Sequence, residues 1–171
     1  MKRRAFLRRI VVLPFFPAWL SSQAMASDGA QGAIRSLKKS HHAWRELLSP
    51  EAFRVLFEEH TEEPGSSELN GEYREGTYIC AACYLPLFES RHKYESGTGW
   101  PSFTQPVAGH VETKPDYSLI FMRTEYHCAR CGGHQGHVFK DGPLPRGERW
   151  CNNGLALQFV LQSEPLPGLR G

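Results

Sequence analysis

The chain lacks the basic surface that a nucleic-acid-binding protein needs. Five Lys and Arg residues lie within residues 1–26, which contain no acidic residue, and they account for the formal net charge of +2. The remainder has 15 basic and 18 acidic residues, with no basic run longer than Lys38-Lys39. Because recognition of a phosphate backbone requires clustered positive charge, these absences exclude nucleic acid as a partner.

A second absence is a hydrophobic run long enough to span a membrane. The apolar stretch Ile10–Leu20 has 11 residues and includes two prolines, whereas a spanning helix needs roughly 20 residues. A basic start precedes this stretch and Ala24-Met25-Ala26 follows it, which completes the pattern of a secretory signal peptide. Residues 1–26 are therefore predicted to be a signal peptide cleaved after Ala26, with an uncleaved tether as the alternative.

The first residues also resemble a twin-arginine export signal. Arg3-Arg4 is followed by Ala5 and then by Phe6-Leu7, and the alternative is an ordinary basic start. The resemblance implies that the protein crosses the membrane already folded, with its metal inserted in the reducing cytoplasm. We therefore predict export to the bacterial periplasm by the machinery that recognises this signal.

A length of 171 residues favours one domain, which we expect over residues 44–163. Residues 27–43 are predicted to be a mobile lead-in and residues 164–171 a C-terminal tail. Ser49-Pro50-Glu51 predicts a helix start, because serine caps a helix, proline suits its first position and an acid suits its first turn. This helix should end near His60.

Beyond Tyr73, short apolar runs alternate with Gly, Pro, Asn and Asp, which is typical of β-strands joined by turns. Apart from two CxxC pairs there is no internal repeat. We therefore predict a mainly β domain with antiparallel strands. The predicted strands are Thr77–Ile79, Ser118–Arg123, His137–Phe139 and Leu155–Leu161.

The five cysteines divide into two CxxC pairs and one single residue. Each pair can direct two thiolates at a tetrahedral Zn²⁺. The 44 residues between the pairs imply that the metal would join distant parts of the domain. One structural zinc ion is therefore predicted, bound by Cys80, Cys83, Cys128 and Cys131.

Three alternatives compete with this zinc site. An exported protein could form two disulfides from the same cysteines. His134 and His137 continue the three-residue spacing of the second pair and could replace one pair as ligands. Covalent haem is excluded, because Tyr84 and Gly132 occupy the positions where a histidine would follow each pair.

Cys151 is the single cysteine, and a lone cysteine is either buried and inert or reactive. Arg149 could stabilise a thiolate, and Asn153 offers a hydrogen-bonding amide. The segment precedes an apolar strand, so we expect Cys151 near a strand start. These neighbours favour a reactive thiol.

Three segments carry a family resemblance: Ser96–Phe103, Gly136–Pro143 and Arg149–Asn153. In this order, and with the two CxxC pairs, they resemble the B-type methionine sulfoxide reductases, which are peptide-methionine (R)-S-oxide reductases. The resemblance covers Trp44 to Gln162 and implies two small antiparallel β-sheets, clipped by zinc, with short helices on the N-terminal side. It implies an oxidoreductase that reduces methionine-R-sulfoxide, mainly within proteins, and so repairs oxidised exported proteins.

The resemblance also assigns roles. Cys151 is the nucleophile, and two histidines flank the sulfoxide oxygen. Trp100 covers the S-methyl group of the substrate and, with Phe103, forms the binding site, while three further side chains orient the histidines, the thiol and water. The predicted catalytic set is Cys151, His134, His137, Asp141, Arg149 and Asn153.

The chemistry explains these residue types. A thiolate attacks the sulfoxide sulfur while the oxygen is protonated and leaves as water, and histidine supplies an acid that titrates near neutral pH. An aromatic wall contacts the sulfur and methyl group and can select one epimer. Taken singly, Trp100 could be a core residue, the histidines turn residues, and Asp141-Gly142-Pro143 a plain turn.

The chain departs from many relatives at Thr98, where they carry a resolving cysteine. A sulfenic acid on Cys151 would normally condense with a nearby thiol. If zinc holds the other four cysteines, the reductant must be an external thiol, from a thioredoxin-like protein or a small molecule. Gln135, between the two histidines, is a smaller departure.

Two rival functions remain. A non-catalytic, zinc-clipped binding module of the same fold would tolerate alkylation of Cys151. A thiol-disulfide oxidoreductase that uses CxxC would lack zinc and exchange two electrons per pair. The absence of a βαβ pattern around Cys80 and Cys128 argues against the oxidoreductase.

Overall fold

The computed structural model describes residues 34–117 and 122–171. The predicted signal peptide and most of the predicted strand Ser118–Arg123 lie outside the described residues. The described elements are the helices α1 His41–Arg45 and α2 Pro50–Glu58 and the strands β1 Gly76–Cys80, β2 Pro86–Glu89, β3 Lys93–Tyr94, β4 Ser102–Phe103, β5 Val111–Asp116, β6 Arg123–Cys128, β7 His134–Phe139, β8 Arg149–Asn152 and β9 Leu157–Leu161.

These strands form two antiparallel sheets, which confirms the predicted mainly β fold with short helices at its N-terminal side. The smaller sheet has the order β2-β1-β9, and the larger has the order β3-β4-β8-β7-β6-β5. β8 therefore lies between β4 and β7. Cys151 is the third of its four residues, within a strand of its own rather than near the start of the following apolar strand.

Helix α2 begins and ends as its sequence predicts. The Ser49 hydroxyl accepts a hydrogen bond from the main-chain N–H of Ala52, and Pro50 occupies the first helical position. The helix ends at Glu58, and Glu59 follows in a left-handed conformation. At nine residues α2 is too short to cross a membrane, and no other helix within 34–117 and 122–171 is long and apolar enough.

The core is rich in aromatic rings. Phe103 stacks on Phe88 with ring centroids 4.1 Å apart and meets Tyr78 edge-on at 4.9 Å. Helix α1 adds Trp44, which is 1% exposed. The described part of the predicted lead-in also contacts this core, because Leu37 packs against it and donates its main-chain N–H to the carbonyl of Arg130.

Three of the predicted strands fall in observed strands. Thr77–Ile79 lies within β1 and His137–Phe139 within β7. The strand predicted from Leu155 begins later, at Leu157, because Gly154–Ala156 forms a 3₁₀ turn. In the described part of Ser118–Arg123, only Arg123 belongs to a strand, the first residue of β6.

Candidate active site

Cys151 lies in a row of side chains that crosses the larger sheet. Ser102 of β4 pairs with Cys151, which pairs in turn with His137 of β7, and His137 pairs with Glu125 of β6. Residues directly opposite each other on antiparallel strands point to the same face, with Cβ atoms about 4.5–5.5 Å apart. The register therefore places a hydroxyl, a thiol, an imidazole and a carboxyl group on one face.

Gly136 permits this register. A Cβ atom at Gly136 would lie 2.0 Å from the main-chain oxygen of Cys151, far inside van der Waals contact. Any side chain here would push β7 away from β8. Gly136 is thus needed for the pairing that sets Cys151 opposite His137.

A cavity of about 150 Å³ adjoins Cys151. Trp100 and Phe139 supply aromatic surface, and His137 and Arg123 supply polar groups. The remaining lining comes from Thr61, Gly136, Asn152 and Asn153. The cavity combines an aromatic wall with a thiol and an imidazole.

Trp100 is held by contacts on two sides of its turn. Its indole N–H donates to the main-chain oxygen of Glu62 at 3.2 Å. The carbonyl of the preceding Gly99 accepts hydrogen bonds from Gly65 N at 2.7 Å and from Asn70 Nδ2 at 3.0 Å. The ring is therefore fixed at the cavity by the segment that follows α2.

Arg149 is fixed beside the same cavity. It makes a two-pronged ion pair with Asp141, with both N···O distances 2.9 Å, and its guanidinium lies 4.3 Å from the ring centre of Phe139. Such a fork-to-fork pair fixes orientation as well as charge. Asp141 therefore orients Arg149, not the histidines.

Two other carboxylates hold the histidines. Glu125 lies 2.9 Å from Nδ1 of His134, and Asp116 lies 2.8 Å from Nε2 of His137. Because an ionised carboxylate only accepts hydrogen bonds, each histidine donates an N–H to its partner. Sequence reasoning assigned no role to Glu125 or Asp116.

The two histidines occupy different environments. His137 lines the cavity, whereas His134 is 3% exposed and does not line it. Their ring centroids are 5.5 Å apart. Within the part of the chain that the structure describes, Nε2 of His134 is buried without a hydrogen-bond partner. Of the predicted pair, only His137 therefore faces the cavity directly.

Two further predicted site residues have structural contacts. Phe103 is fully buried in the aromatic core and does not line the cavity, so the structure places it beneath the site rather than in it. Asn153 lines the cavity, but its amide bonds the main-chain N–H of Glu62 at 3.1 Å and the carbonyl of Gln135 at 3.1 Å. Its side chain thereby braces the backbone around the site.

The other four cysteines lie close together in space and form a cluster that does not include Cys151. The sulfur atoms of Cys80, Cys83, Cys128 and Cys131 all lie within 4.8 Å of one another, and all five cysteines are free thiols. Cys80 ends β1 of the smaller sheet and Cys128 ends β6 of the larger one. The cluster therefore joins the two sheets.

The cluster has the dimensions of a tetrahedral metal site. Zn–S bonds of about 2.3 Å place sulfurs about 3.8 Å apart, and the closest pairs here are 3.5 and 3.6 Å apart. Contact with the sulfur of Cys128 and with the other two cysteines raises the pKa of the Cys80 thiol well above its usual value. All four sulfurs gather around one point at these separations, whereas each disulfide needs two sulfurs about 2.05 Å apart, so the residues fit a single Zn²⁺ better than two disulfides.

Both CxxC turns use the same backbone geometry. The residue after each second cysteine, Tyr84 or Gly132, has a positive φ, of 65° and 73° respectively. Each donates its main-chain N–H to the main-chain carbonyl oxygen of the first cysteine of its pair at 2.9 Å. The two turns thus present their sulfurs alike, and His134, which bonds Glu125, is not part of the cluster.

Comparison with known proteins places this arrangement in a family. A model of the SelR domain matches residues 48–161, two thirds of the chain. The chain belongs to the SelR domain family. It is 53% identical over 122 residues to the peptide methionine sulfoxide reductase MsrB of Bradyrhizobium diazoefficiens, a match covering 71% of this chain and 88% of the relative.

Similar proteins from two other organisms also match. The peptide methionine sulfoxide reductase MsrB of Methanosarcina barkeri is 44% identical over 137 residues, which cover 80% of this chain and 96% of that protein. The chloroplastic peptide methionine sulfoxide reductase B1 of Arabidopsis thaliana is 42% identical over 142 residues, covering 81% and 70%. The resemblance inferred from three sequence segments is thereby confirmed.

Three side chains around the SelR-domain thiol oppose the effect of its burial. Burial raises the pKa of the Cys151 thiol, while the positive charge of Arg149 and hydrogen bonds from Thr98, Arg149 and Ser102 lower it. The net shift is upward, so the thiol is largely protonated near neutral pH. The direction of this shift is opposite to the acidic thiol that the sequence led us to expect.

We expect alkylation of Cys151 by iodoacetamide to be slow at neutral pH and to rise with a midpoint above about 8.5, the pKa of an ordinary cysteine. Arg149→Met should move the midpoint further upward, because it removes the opposing positive charge. Peptide mass spectrometry across a pH series measures the rate at this residue alone. A midpoint below that of an ordinary cysteine would contradict the upward shift of the Cys151 pKa.

His137 of the SelR domain is also held in its neutral form. Burial lowers the pKa of its imidazole, and the positive charge of Arg123 lowers it further, against the opposing hydrogen bond to Asp116. The neutral ring uses its Nε2–H on Asp116, so Nδ1 is left as an acceptor. His137 can therefore accept a second proton at Nδ1.

Proposed function

We propose that this SelR-domain protein reduces methionine-R-sulfoxide to methionine with Cys151 as nucleophile. The observation that carries the proposal is the direct cross-strand pairing of Cys151 with His137 beside a small cavity walled by Trp100 and Phe139. The named relatives, peptide methionine sulfoxide reductases, support the same reaction class. The chain is then an oxidoreductase acting on sulfoxide sulfur.

The first step forms a bond between the two sulfur atoms. The Cys151 thiol gives its proton to Nδ1 of His137, and the resulting thiolate attacks the sulfoxide sulfur. The protonated His137 and the solvent each give one proton to the sulfoxide oxygen, which leaves as water. Because the pKa of the His137 imidazole is low, its protonated form is a strong enough acid to give a proton to this oxygen. Arg149 stabilises the thiolate that this step consumes.

The second step restores methionine. Water attacks the Cys151 sulfur, the sulfur–sulfur bond breaks, and methionine departs, leaving Cys151 as a sulfenic acid. The substrate sulfur has then gained two electrons and Cys151 has lost two. One external thiol condenses with the sulfenic acid to give a mixed disulfide and water, and a second thiol releases Cys151 and forms the external disulfide.

The size and asymmetry of the cavity support methionine-R-sulfoxide as the substrate. A volume of about 150 Å³ corresponds to about five water molecules in the liquid, which suits the methylsulfinyl end of a side chain. With the methyl group on Trp100 and the oxygen towards His137, attack from Cys151 fits one epimer only. The pocket admits the side-chain end and does not have to enclose the main chain, so methionine sulfoxide within a protein is compatible with it.

In this proposal, Zn²⁺ bound by the four clustered cysteines would have a structural role and no catalytic one. The ion would join the two sheets, and it would withdraw all four thiols from redox chemistry. Its place in the domain is separate from the cavity at Cys151, which the four cysteines do not line. Cys151 then has no cysteine partner of its own, which is why the reductant is external.

Export completes the proposal. A cleaved twin-arginine signal over residues 1–26 would deliver the folded protein to the periplasm, where it would repair oxidised exported proteins. Fractionation of cells expressing the full chain and the Arg3→Lys, Arg4→Lys double variant tests this. Wild type in the periplasm and the variant in the cytoplasm are expected, and equal export of both excludes the twin-arginine route.

The reaction is tested with the separated R and S epimers of a methionine sulfoxide peptide and dithiothreitol as reductant. We expect loss of the R epimer alone. Reduction of neither epimer by zinc-loaded protein would favour the binding module, and reduction of both would contradict the stereochemical proposal.

The external reductant is tested by Thr98→Cys, because Thr98 hydrogen-bonds Cys151. After one turnover without reductant, the variant should form an internal disulfide between these positions. Wild type should instead retain a sulfenic acid that a dimedone probe traps. An internal disulfide in wild type would exclude the proposed external step.

A further inference from the structure

Gln135 is a fully buried polar residue between the cysteine cluster and the strand that carries Cys151. A primary amide has two N–H donors and an acceptor oxygen, and burying it is unfavourable unless these groups are bonded. Nothing in the reductase mechanism uses this side chain. The hydrogen-bond partners of the Gln135 amide therefore indicate its role.

The two ends of the amide face different sites. Nε2 lies 3.6 Å from the sulfur of Cys80, within hydrogen-bond range for sulfur, and 3.5 Å from the carbonyl of Gly133. Oε1 accepts a hydrogen bond from Nδ2 of Asn152 at 3.4 Å. The side chain thus connects a metal-binding sulfur to the residue after Cys151.

The hydrogen bonds from Gln135 continue through Asn152 into the active site. Asn152 lines the cavity, and its Oδ1 accepts a hydrogen bond from the buried Tyr126 hydroxyl at 2.7 Å. The main-chain carbonyl of Gln135 accepts hydrogen bonds from both nitrogens of Asn153, at 2.8 and 3.1 Å. Gln135 therefore contacts both residues that follow the nucleophile.

We infer that Gln135 couples the cysteine metal site to the active site, by donating to the Cys80 thiolate and accepting from Asn152. Hydrogen bonds to a ligand sulfur orient it and tune its electron density. When the metal holds Cys80 in place, Gln135 is fixed in turn and holds Asn152. Metal loading and the reactivity of Cys151 should then influence each other, since coupling between two sites is reciprocal.

This inference rests on the proposed metal site and not on the proposed reaction. The matched variants are Gln135→Met, which keeps a similar volume but removes the amide, and Gln105→Met. Gln105 bonds Nε2 of His92 at 3.0 Å and contacts neither site. Both variants therefore lose one glutamine amide.

The first readout is the spectrum of the Co²⁺-substituted protein. Removing an N–H···S bond raises the energy of the sulfur lone pairs, so the sulfur-to-cobalt charge-transfer band of Gln135→Met should move to longer wavelength. Zinc transfer to a chromophoric chelator should be about tenfold faster. Gln105→Met should match wild type in both, and an unshifted band in Gln135→Met overturns the inference.

The second readout is alkylation of Cys151 with and without zinc, under conditions where circular dichroism shows both forms folded. Zinc should change the alkylation rate in wild type and in Gln105→Met, and change it little in Gln135→Met. An equal zinc effect in all three proteins overturns the coupling. If Gln135→Met does not fold, Gln135→Asn, one methylene too short to reach both partners, replaces it with the same expected outcomes.

Discussion

Cys151→Ser is expected to abolish reduction of methionine-R-sulfoxide, with a loss of about a thousandfold or more in rate. A serine hydroxyl at this position is hardly ionised at neutral pH and is a poor nucleophile towards sulfur, whereas a thiolate is a good one. No other thiol should take over the attack, because the remaining four cysteines lie in the separate cluster and do not line the cavity. Single-turnover assay of the R epimer with dithiothreitol measures the loss.

Serine is close to cysteine in size, so the variant should keep its fold and its metal. Circular dichroism and zinc content serve as controls. Thr77→Ser, a similarly small change in β1 of the smaller sheet, provides a matched active control. Turnover by Cys151→Ser within tenfold of wild type would exclude Cys151 as the nucleophile.

Local sequence signals were enough to predict several elements of the fold. The Ser49 cap and Pro50 define the start of α2 because capping depends only on residues within one turn. β1 and β7 are visible as short apolar runs. The CxxC pairs likewise predict a cluster, since each turn is fixed by its own backbone.

The strands that were missed have no such local signal. β5 contains Pro115 and presents mostly exposed side chains, because it is one of the two edge strands of the larger sheet. β8 is four residues long and mixes Arg149, Trp150, Cys151 and Asn152. Its position between β4 and β7 comes from pairing with distant segments, which periodicity does not reveal.

The same reason explains the missed site residues. Glu125 and Asp116 lie on β6 and β5, and they reach His134 and His137 through contacts between neighbouring strands. Only the pairing register of β5, β6 and β7 reveals these contacts. The family resemblance assigned Phe103 to the substrate-binding site together with Trp100, whereas side chains that are near in a turn can point to opposite faces. Its ring enters the core, and Phe139 of β7 supplies the second aromatic surface instead.

Loss of zinc is expected to have the largest effect on stability. With zinc bound, the cluster would link the ends of β1 and β6 through metal–sulfur bonds, and these two strands belong to different sheets. Structural zinc sites contribute about 10–16 kcal/mol of apparent binding free energy in small domains, against a total unfolding free energy of about 5–15 kcal/mol for a typical protein. Removing even one thiolate therefore threatens the whole fold.

We expect Cys80→Ser to lose zinc and to lower the unfolding free energy by about 5 kcal/mol or more, a fall in Tm of roughly 10–20 °C. Cys80 is fully buried, so the uncompensated thiolates of its three partners would also have to take up protons. Differential scanning calorimetry and zinc analysis measure both effects, with Cys151→Ser as the cysteine control that keeps zinc. A chelator should act like Cys80→Ser on wild type and have no further effect on the variant. If Cys80→Ser kept wild-type Tm after complete zinc removal, the two sheets would be held by their apolar contacts alone, and the metal would have no structural role.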